Sequence, residues 1–171
     1  QDSPPGAKGL ILLPYFEGER TPIYDPEAKG VLFGLTLRHT RADIYRAILE
    51  GIAFGIRHII ETLLKEGASP KRIIGAAGGT KNLGWMQIVA DIANIEMLIP
   101  EKESSAPYGD AFMAAVGAGF FNDLSENERW IGKTTSIKPN PGMYNFYEPY
   151  YRIFRKLYDQ TKDLMHEINV L

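Results

Sequence analysis

Apolar positions along the chain fall into a few short runs and one long periodic one. Gly9-Leu10-Ile11-Leu12-Leu13 is apolar throughout, has strand length and stops at Pro14, so it is predicted as a buried strand. Between residues 17 and 30, Gly18, Pro22, Pro26 and Gly30 stand among charged residues, which leaves room only for an ordered loop. Residues 30–36 are again short and apolar. Thr40-Arg41-Ala42-Asp43 has the spacing in which a threonine hydroxyl caps one backbone N–H and the acid reaches back to another, so a helix is predicted to start there. Ile44, Ile48, Ile52, Ile56, Ile59 and Leu63 follow at intervals of three and four and are expected on its packing face, until Gly67 stops the run. Ala47, Gly51 and Gly55 form a small-residue stripe; each glycine costs about 1 kcal/mol against alanine, and close approach of another backbone is the expected return.

Residues 72–77 read as a strand, Gly78-Gly79-Thr80-Lys81-Asn82 as a tight loop, and residues 83–94 as a helix with Met86, Val89, Ala90 and Ala93 inward. Residues 97–99 form a short strand before Pro100. A helix rich in small residues is predicted over 106–121, with Pro107 in its first turn, where a missing N–H does no harm. Residues 122–144 are polar, carry Pro139, Pro141 and Gly142, and are expected to wrap the surface. A last helix is predicted from about residue 148, packing through Phe154, Leu157, Tyr158, Thr161, Leu164, Met165 and Ile168. Alternating strands and helices favour an α/β fold. Only about three strands are predicted, fewer than the ~5 of an average sheet, which hints at a missing partner segment.

Composition narrows the function. A length of 171 residues fits one domain. Lys and Arg number 19 against 21 for Asp and Glu, with no basic cluster, so nucleic acid is not an expected partner. The absence of cysteine excludes disulfides, thiolate metal sites and a cysteine nucleophile, and is compatible with a reducing compartment. His39, His58 and His166 are scattered and make no metal motif. No apolar run approaches the ~20 residues of a membrane helix, and Gln1-Asp2-Ser3-Pro4-Pro5 has no secretory pattern, so a cytoplasmic protein is expected. A piece trimmed from a longer chain would look the same.

The glycine pair at Gly78 and Gly79 follows a strand and precedes a helix, where bare main-chain N–H groups can face a ligand. It matches neither the dinucleotide fingerprint nor the Walker A pattern, and on these residues alone a plain turn is the commoner reading. Glu19, Arg20, Asp25 and Glu27 crowd the early loop; phosphate or metal binding competes there with a simple ion-paired loop, Arg20 being the residue to watch. Asp43 already has a capping role, and His39 is expected to be structural. Glu50, Asp91 and Asp110 are expected to be solvated or hydrogen-bonded. Tyr144, Phe146, Tyr147, Tyr150 and Tyr151 are assigned to packing ahead of sugar or base stacking. No Ser–His–Asp arrangement and no metal cluster is found.

In order, these segments resemble the C-terminal part of the FGGY carbohydrate kinases. Leu13-Pro14-Tyr15-Phe16-Glu17-Gly18-Glu19-Arg20-Thr21-Pro22 is similar to the family's LPYxxGERTP segment, and Gly30-Val31-Leu32-Phe33-Gly34-Leu35 with Asp43-Ile44 and Ala47-Ile48-Leu49-Glu50 to its second signature. Gly78-Gly79 with Trp85, Gln87, Ala90 and Asp91 resembles its adenosine-contacting motif, Tyr108-Gly109-Asp110-Ala111 its following helix, and Phe154-Arg155-Lys156-Leu157-Tyr158 its closing helix. Xylulokinase-like members are nearest because of the GERTP segment. Ala77 stands where a triple glycine commonly begins, and Asn82 where serine is frequent.

The resemblance implies an α/β fold that is part of an actin-like ATPase (ribonuclease-H-like) domain, with a small mixed sheet flanked by helices. Residues 1–171 would form the C-terminal nucleotide-binding domain of a longer two-domain kinase. It implies transfer of the ATP γ-phosphoryl group to a sugar, xylulose first, with Mg2+; glycerol, polyol or gluconate kinases and a non-catalytic actin-like nucleotide-binding module are the alternatives. Gly78, Gly79 and Asn82 are the foremost adenosine contacts, Thr80 next and Thr21 after it. Gly79→Val in the complete protein is expected to weaken ATP binding and leave the fold intact. The catalytic aspartate, the phosphate loop and most sugar contacts are expected upstream, so this chain holds no catalytic residue and is expected to be inactive alone. A homodimer is allowed for.

Overall fold

A computed structural model describes residues 2–70, 72–101 and 106–170, with nothing of the Glu128 side chain; Gln1 of the polar start lies outside the described residues. In chain order the elements are β1 (Ile11–Leu13), β2 (Val31–Phe33), α1 (Arg41–Lys65), β3 (Ile73–Ile74), α2 (Leu83–Ala93), β4 (Met97–Pro100), α3 (Ala106–Gly117), α4 (Asn127–Ile131), β5 (Thr134–Ile137) and α5 (Met143–Ile168). β1 and β2 pair antiparallel, Leu12 opposite Leu32. β3 and β4 pair parallel, Ile73 opposite Met97, and β4 and β5 antiparallel, Met97 opposite Ile137. The second sheet is therefore small and mixed, in the order β3-β4-β5.

α1 starts at the predicted cap. The Thr40 hydroxyl accepts from the Asp43 N–H at 3.4 Å, and the Asp43 carboxylate accepts from the Thr40 N–H at 2.8 Å. Its most buried face is not the isoleucine face. Ile44, Ile48, Ile52, Ile56 and Ile59 are half-buried and Leu63 is exposed, while Asp43, Ala47, Glu50, Gly51, Ala53, Phe54, Arg57 and His58 are buried. The small-residue stripe explains this. A Cβ on Gly51 would stand on the Leu12 carbonyl oxygen, so β1 lies directly against the stripe and draws the neighbouring polar residues inside with it.

α5 begins at Met143, ahead of the predicted start, and carries Pro149 within it. Tyr147, Tyr151 and Phe154 project at helical spacing onto Phe54 of α1, with ring centroids 5.9, 6.0 and 5.5 Å away. Burying such an aromatic side chain contributes about 2–3 kcal/mol, so these contacts join α1 to α5. Phe154, Leu157 and Met165 are buried as predicted, whereas Leu164 and Ile168 are exposed.

Five strands are present among the described residues, against about three predicted. The stretch expected to wrap the surface contains β5, whose Thr134, Thr135 and Ser136 are exposed and only Ile137 buried. Pairing with β4, not apolar alternation, makes it a strand. α3 ends at Gly117, short of the predicted end, and Phe112 is its one buried residue among those described. Phe112 packs with Phe121 and with Trp130 of α4 at 5.3 and 5.7 Å. This leaves most of α3 uncovered.

Candidate functional site

β3 delivers the chain to the glycine loop through Ala77, whose backbone has φ 63° and ψ −169°. Residues Gly78–Lys81 then make one 3-10 turn. The Ala77 carbonyl accepts from the Thr80 N–H at 3.2 Å and from the Thr80 hydroxyl at 2.7 Å. The Asn82 side chain accepts from the Trp85 N–H at 3.0 Å and so caps α2. The turn therefore ends at a helix N-terminus, where the partial positive charge of the backbone favours negative groups.

The two glycines differ. A Cβ on Gly78 would meet nothing within 4 Å, so its backbone is open. A Cβ on Gly79 would come within 2.6 Å of Trp85 Cζ3, so Gly79 is required by packing as well. Gly79→Val is thus not the neutral substitution for the fold that the sequence led us to expect. Gly75 is equally confined, with Ile99 Cδ1 and Thr80 Cγ2 at 2.7 and 2.8 Å from its would-be Cβ.

Trp85 is the wall between two cavities. On one side, about 460 Å³ of mainly apolar space is bounded by Ile56, Gly75, Gly79, Thr80, Trp85 and Val89. On the other, a more polar cavity of about 560 Å³ is bounded by Ser3, Tyr45, Arg46, Asn82, Gly84 and Trp85. Both volumes lie in the range of small-molecule sites. The indole is fixed by its Nε1–H, which donates to the Leu49 carbonyl at 3.2 Å. The first cavity suits a flat, largely apolar ring whose polar edge meets exposed main chain at the glycine rim.

Arg46, in the wall of the polar cavity, is committed to partners on α1 and α5. Its Nε donates to Glu50 at 2.6 Å and its Nη2 to the Tyr147 hydroxyl at 2.8 Å. Burial works against its charge, but these partners more than offset it and the guanidinium pKa is raised. Glu50 Oε1 also accepts from the Gly6 N–H at 2.9 Å and the Tyr147 hydroxyl at 2.8 Å. Burial and the Glu50 charge push the Tyr147 phenol well above its ordinary pKa. Glu50 is thus buried and hydrogen-bonded, the second of its two expected states.

Thr21 lies elsewhere. It is exposed, its N–H donates to Glu19 at 3.0 Å, and it lines neither cavity beside the glycine loop. In the same loop Asp25 is buried and accepts from the Tyr158 hydroxyl and His166 Nε2, both at 2.8 Å, and from the Glu27 N–H at 3.0 Å. Burial opposes ionisation of Asp25, but the His166 and Tyr158 hydrogen bonds hold its pKa below the ordinary value. Asp25 therefore staples the loop to α5. Arg20 is exposed at the rim of a cavity of about 220 Å³, with Glu17, Glu19 and Tyr24.

The remaining polar candidates have structural partners. His39 Nδ1 accepts from the Thr36 N–H at 2.9 Å, and its Nε2 lies 3.3 Å from the Lys8 carbonyl. Asp43 accepts from the Ser3 hydroxyl at 2.7 Å and from Lys8 Nζ at 3.0 Å. The Thr40 N–H first, then Ser3, hold the Asp43 carboxyl well below the usual range. Asp91 accepts from Gln87 Nε2 and the Asn140 N–H, and Asp110 is exposed. Tyr147 and Tyr151 are core residues, as expected. Among the described residues no three His, Cys, Asp or Glu side chains are grouped to hold a metal ion, and no helix is long and apolar enough to cross a membrane.

Sequence reasoning missed Arg46 and Ile56 as cavity walls. Trp85 was noted only within a motif; its place three residues after the α2 cap, on the side of the loop, was the available signal.

The FGGY family of carbohydrate kinases, C-terminal domain, matches residues 1–118. A xylulose kinase of Staphylococcus epidermidis is 34% identical over 164 residues, covering 95% of this chain and 33% of the relative. One from Bacillus subtilis is 36% identical over 162 residues, with 94% and 32% covered. Among solved structures, the ligand-bound xylulose kinase from Lactobacillus acidophilus superposes with a TM-score of 0.82 at 29% identity, covering 94% of this chain and 33% of that one. The chain spans about a third of the length of the relatives it matches.

Proposed function

Since the chain belongs to the FGGY family of carbohydrate kinases as a C-terminal domain, we propose that it forms the adenosine side of the ATP cleft of a sugar kinase whose acceptor is xylulose. The observation that carries this is an apolar cavity walled by Ile56, Gly79 and Trp85, next to the open backbone of Gly78 in the same turn. A purine is flat and apolar on its faces and polar at its edge. The slot would take the faces and the main chain at Gly78 and Gly79 the edge. Thr80 lines the same cavity and Asn82 the polar one across Trp85, although both side chains already hold the loop in shape. Thr21, outside both cavities, has no part in this proposal.

Phosphoryl transfer is catalysed by placing nucleotide, metal and acceptor together. Bound ATP supplies the phosphoryl group, and this chain's part is to orient it. No described residue is assigned to magnesium. On this reading the base and the sugar grip belong to the part of the full-length kinase that this chain does not span, the chain covering 33% of a xylulose kinase relative.

The test is an ADP-release assay of the full-length protein with xylulose, ribulose, gluconate and glycerol. Xylulose-dependent release with the highest kcat/KM is expected. No release with any of these acceptors would remove the kinase reading, and a preference for another would move the substrate. Residues 1–171 alone are expected to give no release above buffer.

A further inference from the structure

Ala77 carries a methyl group at φ 63°, ψ −169°, a region open without strain essentially to glycine alone. Strain of this kind disfavours the conformation by about 5- to 100-fold against a relaxed one, and it persists only where neighbouring groups hold it. Here they are identifiable. Thr80 binds the Ala77 carbonyl through both its N–H and its hydroxyl. The Thr80 methyl is seated over Gly75, where a Cβ would lie 2.8 Å from it. Asn82 then caps α2 through the Trp85 N–H. The strained corner and the closed turn are thus one arrangement. Rotating Ala77 into an ordinary extended or helical conformation swings its carbonyl away from Thr80 and reorients the N–H of Gly78.

We propose that Ala77 is a positioning residue that sets the nucleotide affinity of this site, by holding the glycine loop in balance between a strained, closed turn that presents Gly78 and Gly79 and a relaxed, open one that does not. It touches no ligand and acts through Thr80 and Gly78. The inference rests on the nucleotide reading of the loop. A ligand that needs the closed turn binds more weakly by the fraction of molecules that have it, so a glycine here, which removes the strain, tightens binding.

The experiment is calorimetric titration of ADP into the full-length protein and its Ala77→Gly and Gly78→Asp variants, with KM values for ATP and for the sugar. Ala77→Gly is expected to bind ADP about 2- to 5-fold more tightly, the reciprocal of a closed fraction of about one-half to one-fifth, and to lower the KM for ATP while that for the sugar stays unchanged. A residue that only shaped the fold would raise the melting temperature and leave both KM values alone. Gly78→Asp, whose side chain enters open space, is expected to abolish ADP binding. If it does so while Ala77→Gly leaves ADP affinity unchanged or weaker, the proposal for Ala77 falls alone. If Gly78→Asp also leaves ADP binding intact, the nucleotide reading of the loop falls with it.

Discussion

Where α5 lies against α1, spacing, aromatic packing and ion pairing point the same way; where β3 turns into α2, residue type and backbone conformation conflict. The α1–α5 seam combines helical spacing, aromatic packing on Phe54 and a buried Arg57 charge paired through its Nε and Nη2, with Nη1 buried and without a hydrogen bond. Arg57 donates to Glu61 at 2.8 Å, to Glu148 at 2.5 Å and to the Tyr144 hydroxyl at 2.9 Å, and stacks 4.0 Å over the Tyr151 ring. At the β3–α2 corner an alanine occupies a glycine conformation, one glycine is open and the next is pressed against an indole. Local disagreement of this kind is expected at functional sites more than in cores. The seam is where the fold gains its stability, and the corner is where it gives some up.

The seam can be broken most severely at Glu50. Its carboxylate is 2% exposed and accepts from Gly6, Arg46 and Tyr147. Removing it leaves the half-buried Arg46 charge and the Gly6 and Tyr147 donors without their acceptor, a loss that reaches about 3–5 kcal/mol for a fully buried pair. We expect Glu50→Ala to lose stability in that range in urea unfolding. A loss below about 1 kcal/mol, the scale of an exposed pair, would place the stability of the seam in its aromatic contacts alone.

The same seam holds His58, 6% exposed, with its Nδ1 buried and unpaired. Burial first, then the Arg155 charge, pull its pKa down to about 4; Lys65 adds to this, while Glu61 and Asp159 oppose it. Above pH 6.5 the ring is neutral in both folded and unfolded chains. As pH falls from there the unfolded chain takes the proton and the folded one does not until about pH 4. Stability is therefore lost over that window, on the order of 3 kcal/mol. His166 has the opposite sign. The Asp25 hydrogen bond raises its pKa against a smaller effect of burial, so its contribution is present below the ordinary histidine pKa and fades as pH rises through the folded value. Stability measured against pH in His58→Leu and His166→Gln should separate the two. An acid slope unchanged in His58→Leu would show that the buried ring does not carry it.

How much of this was legible follows from how local each cause is. The cap of α1 needs only Thr40 and Asp43, three residues apart, and was read correctly. The buried face of α1 was not, because it depends on β1 meeting Gly51 and on Tyr147 reaching Glu50 across 97 positions. β5 has no alternation to read, and the first turn of α5 directly follows the breakers Pro139, Pro141 and Gly142, which put its start within the stretch read as loop. At the site, the glycine pair was visible as a residue type, whereas Asn82 was read as an adenosine contact and not as the cap of α2. The conformation of Ala77 and the approach of Trp85 to Gly79 were not, since both are set by how the loop packs.

The corner offers the smallest effects and the sharpest contrast, because two adjacent glycines should respond differently to one methyl group. On Gly79 the methyl would stand 2.6 Å from Trp85 Cζ3. The indole is held by its bond to Leu49 and walls both cavities, so it has little freedom to retreat. Overpacking of this sort costs about 1–3 kcal/mol, and Gly79→Ala should lose that much in urea unfolding and disturb Trp85 fluorescence. On Gly78 the methyl meets nothing within 4 Å, so Gly78→Ala should change stability by less than about 0.5 kcal/mol and leave the fluorescence alone. Its effect should appear only in nucleotide affinity, because the bare backbone there faces out of the fold. Equal losses of stability in the two variants would mean that Gly78 is also packed, and the division of labour between the two glycines would be gone.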